Sequence, residues 1–182
     1  VAKHIFALRS VISYFENYGI KTRYAMRAFR VWGEKCRDIV ETNPYLMCNE
    51  EIGMQFQAVE GYAHDLRIPR DSLCRIGAGM LHILRHNAGS GHTCIPLDRL
   101  APKVCEFLSV NESAFYAAYQ AELKEEHIVE YCKGEREFVY LKEFYTAEAY
   151  ITDRIGIMRD FGARNSHDFS AMIAEAERSR GI

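Results

Sequence analysis

Gly19-Ile20-Lys21-Thr22-Arg23-Tyr24-Ala25 and, 34 positions later, Gly53-Met54-Gln55-Phe56-Gln57-Ala58-Val59 are two versions of one pattern. Each opens on a glycine and a large apolar residue, then continues with helical spacing. Glycine reaches backbone conformations that a Cβ resists, so each segment reads as a tight hairpin feeding a helix. The first peptide N–H groups of a helix lack intrahelical acceptors and lie at the positive end of its dipole, where they favour an anion such as phosphate. Arg23, Arg27 and Arg30 follow the first glycine at i, i+4 and i+7, which places three guanidinium groups on one helical face. The pattern predicts a grip on a nucleic-acid backbone. Its candidate contacts are Gly19, Ile20, Lys21, Thr22, Arg23, Arg27 and Arg30 in the first copy, and Gly53, Met54, Gln55 and Gln57 in the second.

The surrounding segments extend this to a mainly α fold. Ile5, Leu8, Ile12 and Phe15 recur at helical spacing up to Tyr18, and Ala25, Ala28, Phe29 and Trp32 form an apolar face apart from the arginines. Gly33 is a helix stop. A third helix over 34–41 runs into Thr42-Asn43-Pro44-Tyr45, where proline bars helix through Asn43. The second hairpin's helix spans about 56–66, and Pro69-Arg70-Asp71-Ser72 opens another that ends near Asn87-Ala88-Gly89-Ser90-Gly91.

Beyond Gly91 the order changes to a short strand at 93–95, a helix through Leu100, Val104, Phe107 and Leu108, and an Asn111-capped helix. Two β-rich runs, 127–131 and 137–141, then flank Lys133-Gly134-Glu135-Arg136. Strand, helix, helix and hairpin describe a winged-helix-like domain. From Phe144 the chain is helical again, interrupted at Gly162 and Asn165-Ser166, with a last helix over 169–178. The expected fold is thus a helix-hairpin-helix bundle over 1–88, a winged-helix-like domain with a small β-hairpin over 89–142, and C-terminal helices as a connector over 143–182.

Charge divides the same way. The net charge is only −2, yet residues 1–37 hold eight Lys and Arg side chains against Glu16 and Glu34. An electropositive N-terminal surface implies affinity for a polyanion that weakens as salt rises. The helix after Asn111 is instead net negative, with Glu112, Glu122, Glu125 and Glu126 against Lys124, so it suits a structural or protein contact better than a DNA groove.

Other chemistries find little support. The six cysteines include no C-x-x-C pair, which argues against a zinc ribbon and for reduced, mostly buried thiols. His82 and His86 share a helix face, with His92 and Cys94 beyond, but without the glutamate of a zinc-protease motif, so no metal is assigned. Ser166-His167-Asp168 reads as a cap and loop rather than a hydrolytic triad, which is assembled across a fold. No glycine-lysine phosphate-binding loop occurs in these 182 residues, and no membrane-length apolar run. The N-terminal Val1 carries no secretory pattern, so the sequence reads as a piece of a cytoplasmic protein.

Tyr14-Phe15-x-x-Tyr18-Gly19-Ile20, Asn43-Pro44-Tyr45, the Gly53/Phe56 hairpin, Ile68-Pro69-x-Asp71-Ser72, Gly91-His92-Thr93-Cys94-Ile95-Pro96 and Tyr145-x-Ala147-Glu148-x-x-Ile151 occur in this order over about residues 11–155. Together they resemble the region before the motor in RecD-like ATP-dependent DNA helicases, the superfamily-one family of the exodeoxyribonuclease V alpha subunit. Lys21 and Gln55 stand where that family usually has a second hairpin glycine. The resemblance implies a DNA-binding accessory region of a bacterial, cytoplasmic 5′ to 3′ helicase, holding single-stranded or forked DNA without sequence preference. It implies no enzyme activity or cofactor in this segment; ATP and magnesium belong to a helicase core expected soon after Gly181-Ile182. The alternative is a protein-interaction scaffold of a repair or recombination complex, with both hairpins serving only as packing turns.

Overall fold

The computed structural model describes residues 2–161 and 169–180. The expected breaks at Gly162 and Asn165-Ser166, the Ser166-His167-Asp168 segment and both chain ends lie outside the described residues.

Helix α1 (Ala2–Glu16) and α2 (Thr22–Trp32) form the first packed pair. Ala25 and Ala28, both fully buried, let α2 approach α1, whose Phe15 is also fully buried. Gly33 ends α2 at φ 62°, with its N–H bonded to the Phe29 carbonyl. A 3-10 turn (Gly33–Lys35) precedes α3 (Cys36–Thr42), so the helix expected over 34–41 is regular only in its second part. Asn43 then accepts the Tyr45 N–H at 3.1 Å and Pro44 opens a second 3-10 helix (Pro44–Cys48) in place of a plain turn. Proline suits this first position, where an N–H would have no acceptor.

After the second hairpin come α4 (Phe56–Asp65) and α5 (Leu73–Gly89). Strand β1 (Cys94–Pro96), α6 (Leu97–Leu108), α7 (Glu112–Lys124), β2 (Ile128–Lys133) and β3 (Arg136–Leu141) follow in the expected strand, helix, helix, hairpin order. Asn111 caps α7 by accepting the Ala114 N–H at 2.8 Å. The antiparallel sheet has the order β1-β3-β2, with Ile95 and Glu130 both opposite Val139. Helix α8 (Lys142–Phe161) continues directly from β3, and α9 (Ser170–Arg180) completes the described chain.

Contacts divide the chain into two compact units, Val1–Tyr145 and Thr146–Ile182. Within the first, one continuous hydrophobic core runs from Val11 to Leu141, so residues 1–88 and 89–142 share an interior. Helix α5 joins them by packing on α4, α6 and α7. In the second unit Ile155, Met158 and Phe161 are exposed. Of the cysteines only Cys36 is buried, four are half-buried and Cys132 is exposed, which corrects the expectation of mostly buried thiols. No described helix is long and apolar enough to cross a membrane.

Gly79 fixes the approach of α5 to the end of α6. A Cβ there would lie 2.7 Å from Cδ1 of Leu108, which is itself buried. Gly79→Ala is expected to lower stability by about 1–3 kcal/mol despite alanine's better helix propensity, because overpacking outweighs a gain of under about 1 kcal/mol. A thermal melt checks this; an unchanged or raised midpoint would show that α6 shifts freely.

Candidate nucleic-acid interface

The two hairpins share one backbone geometry. Gly19 and Gly53 have φ of 69° and 70°, a region that costs a residue with a Cβ about 1–2 kcal/mol. Lys21 and Gln55, the residues before α2 and α4, have φ/ψ of −61/137° and −70/144°. Between them Ile20 and Met54 are 4% and 6% exposed, so their side chains anchor the turns in the core. Their N–H groups bond to Phe15 and Met47 carbonyls, each at 3.0 Å, and those of Gly19 and Gly53 to Glu16 and Asn49. These four residues therefore shape the hairpins while their amides are spent internally. The amides positioned for an anion are those that follow, at the first turns of α2 and α4, where no side chain caps the helix and no acidic residue lies in the first turn.

Chemistry, unlike backbone, differs between the copies. At the first hairpin Lys21 and Arg23 are exposed, and Arg23 lies 4.6 Å over the Tyr24 ring while donating to its hydroxyl at 2.8 Å. Thr22 donates to the Glu16 carboxylate at 3.0 Å. At the second hairpin Gln55 and Gln57 occupy the places of Lys21 and Arg23, and Gln57 meets the His82 ring at 3.4 Å. That ring stacks on Phe56 and on Phe107, which also touch each other, and burial, helped by His86 and Arg85, lowers its pKa. His82 is thus a packed aromatic neighbour of the hairpin.

The three arginines are all exposed but sit in different surroundings. Arg27 Nη1 donates to the Ile52 carbonyl at 2.9 Å, and a Cβ on Gly53 would sit 3.4 Å from the same nitrogen. This bond ties α2 to the second hairpin and so sets the spacing of the two. Arg30 lines a cleft with Arg27, Glu50 and Glu51, where the carboxylates offset the positive potential. Spacing along one helix could not reveal Glu50 and Glu51, which arrive from a different loop. Arg27→Ala is expected to cost about 1.5 kcal/mol in a denaturant melt, in keeping with a charge-assisted hydrogen bond, and Arg27→Lys less. Wild-type stability in Arg27→Ala would leave the guanidinium without this linking role.

Behind the second hairpin, Glu60 on α4 accepts a bidentate bond from Arg75 on α5, at 2.8–3.1 Å, and the Tyr45 hydroxyl at 2.5 Å. Arg75 also donates to the carbonyls of Arg70 and Leu108. Tyr45, from the Asn-Pro-Tyr block, stacks on Phe56 at 5.7 Å. That block holds the second hairpin on α5. Burial opposes ionisation of Glu60, but the bonds from Arg75 and Tyr45 outweigh it and hold its pKa below the ordinary value.

Residues 5–94 match the family model described as the ATP-dependent RecD2 DNA helicase HHH domain, a span from α1 to the start of β1 that contains both hairpins. No curated protein matches the chain.

Proposed function

We propose that this chain is a DNA-binding accessory region of an ATP-dependent helicase, since residues 5–94 match the family model described as the ATP-dependent RecD2 DNA helicase HHH domain. It holds the sugar-phosphate backbone without reading sequence. The observation that carries this is the repeated hairpin: two glycine turns with φ of 69° and 70°, each leading to a helix whose first turn has no side-chain cap and no acidic residue of its own, with the Glu16 carboxylate at the first held by the Thr22 hydroxyl. Backbone amides and flexible cations contact phosphates, which are the same at every step and carry no sequence information.

The first hairpin carries most of the charge, through Lys21 and Arg23, and Arg27 acts by keeping the second hairpin at a set distance. ATP and magnesium chemistry, with a 5′ to 3′ direction of unwinding, is assigned to a motor of the same protein, on the family model's description as a domain of an ATP-dependent helicase. The strand, helix, helix, hairpin segment is assigned a winged-helix role in protein contact, because α7 and its C-terminal flank carry four glutamates against one lysine.

Fluorescence anisotropy with single-stranded, forked and duplex oligonucleotides of unrelated sequence tests this reading. Affinity is expected to be similar across sequences and to fall steadily with salt. Absence of binding at low salt would leave the hairpins as packing turns of a protein scaffold, and strong preference for one duplex sequence would make the chain a regulator instead.

A further inference from the structure

The second hairpin lacks charge in its own segment, but not in its surroundings. It borders a cleft of about 420 Å3 whose lining includes Gly53, Gln55, Gln57, His82, Arg85 and Glu50. Arg85 comes from α5, well beyond the hairpin in sequence, and is exposed. It forms no hydrogen bond or ion pair among the described residues. We propose that Arg85 is a DNA-contacting residue, supplying to the second hairpin the cation that the first carries within its own segment as Lys21 and Arg23. This rests on the reading that the hairpins hold a DNA backbone.

The geometry favours a phosphate over other occupants. The exposed residues that follow the hairpin glycine, Gln55 and Gln57, are neutral donors, and they share the cleft with one guanidinium. A guanidinium offers a planar fork that matches a phosphate's oxygens. His82 belongs to a three-ring cluster with Phe56 and Phe107, where burial favours its neutral form. Glu50 is the carboxylate on this rim and also lines the cleft of Arg27 and Arg30, while Arg85 borders a further cleft with Glu50, Glu126 and Glu143. Each hairpin then has a cation within reach, two at the first and one, opposed by Glu50, at the second, drawn from different sources. One draws its cations from the helix it starts, the other from a helix packed beside it.

Binding of the full chain to a labelled oligonucleotide, measured at several salt concentrations, tests the assignment. Arg85→Ala is expected to weaken binding about 3- to 10-fold and to lower the salt slope by roughly 0.7–0.9, the loss of one phosphate contact. Arg85→Lys keeps most of that slope, and Glu50→Gln strengthens binding. An exposed residue without partners leaves the melting temperature unchanged when truncated. Wild-type affinity and slope in both Arg85→Ala and Arg85→Glu would overturn the inference, while a response to Lys21 and Arg23 variants in the same assay would leave the backbone reading standing. If the wild-type chain binds no DNA, both fall together. Should Arg85→Ala melt early, Arg85→Gln decides through the salt slope: a drop of roughly 0.7–0.9 supports a phosphate at Arg85, and an unchanged slope overturns it.

Discussion

Reversing both charges at the first hairpin, Lys21→Glu with Arg23→Glu, is expected to reduce DNA affinity on the order of 100-fold at low salt and to lower the salt slope by roughly two. Both side chains are exposed, Lys21 makes no capping bond, and among the described residues Arg23 bonds only to its neighbour Tyr24, so neither supports the core. The melting temperature should therefore stay near that of the wild type, which separates lost contact from lost fold. The reversal also puts carboxylates beside the amides that open α2, where the helix dipole would have favoured an incoming phosphate. At the second hairpin, Gln55→Glu with Gln57→Glu adds repulsion without removing a cation, and a smaller loss of about 10-fold is expected. Equal losses at the two hairpins would refute the asymmetry; no loss at either would place DNA on another surface.

Arg75→Ala is expected to be the most destabilising of these changes. It strands Glu60 with its side chain only 30% exposed, and it removes donors from the carbonyls of Arg70 and Leu108. Losing one partner of a buried pair costs about 3–5 kcal/mol, and partial exposure of this one favours about 3 kcal/mol, or about 10 °C in the melting temperature. The same pair gives a signed pH dependence. The folded pKa of Glu60 lies below its ordinary value of 4.5, so its contribution is fully present above that value and is lost as pH falls through the lower folded value. Glu60→Gln should flatten the acid side of the stability profile without altering its slope near neutrality. An acid limb identical to wild type would mean that other carboxylates control it.

Much of this molecule is legible in local sequence. Gly19 and Gly53 announce their turns because few other residues reach φ near 70° without strain, and the 34-residue offset marks them as copies. Asn43-Pro44, Gly33 and Asn111 likewise mark helix ends through their own backbone and side-chain bonds. The buried face of α2 follows from the spacing of Ala25, Ala28 and Phe29. The role of Asn-Pro-Tyr is less visible: its tyrosine reaches Glu60, 15 residues on, and no short-range pattern encodes that partner.

Sequence alone determined the hairpins, the helix termini and the basic character of the N-terminal surface, because each depends on residues within a few positions of one another. Tertiary structure alone decided which of those charges face outward unopposed. Arg23, Arg27 and Arg30 are alike in spacing, yet Arg27 is held by the Ile52 carbonyl and Arg30 shares its cleft with Glu50 and Glu51. The neutral second hairpin meets Arg85 only because α4 and α5 pack side by side. Backbone conformation is a local property, whereas electrostatic potential sums over every charge within about 10 Å, whatever its position in the chain.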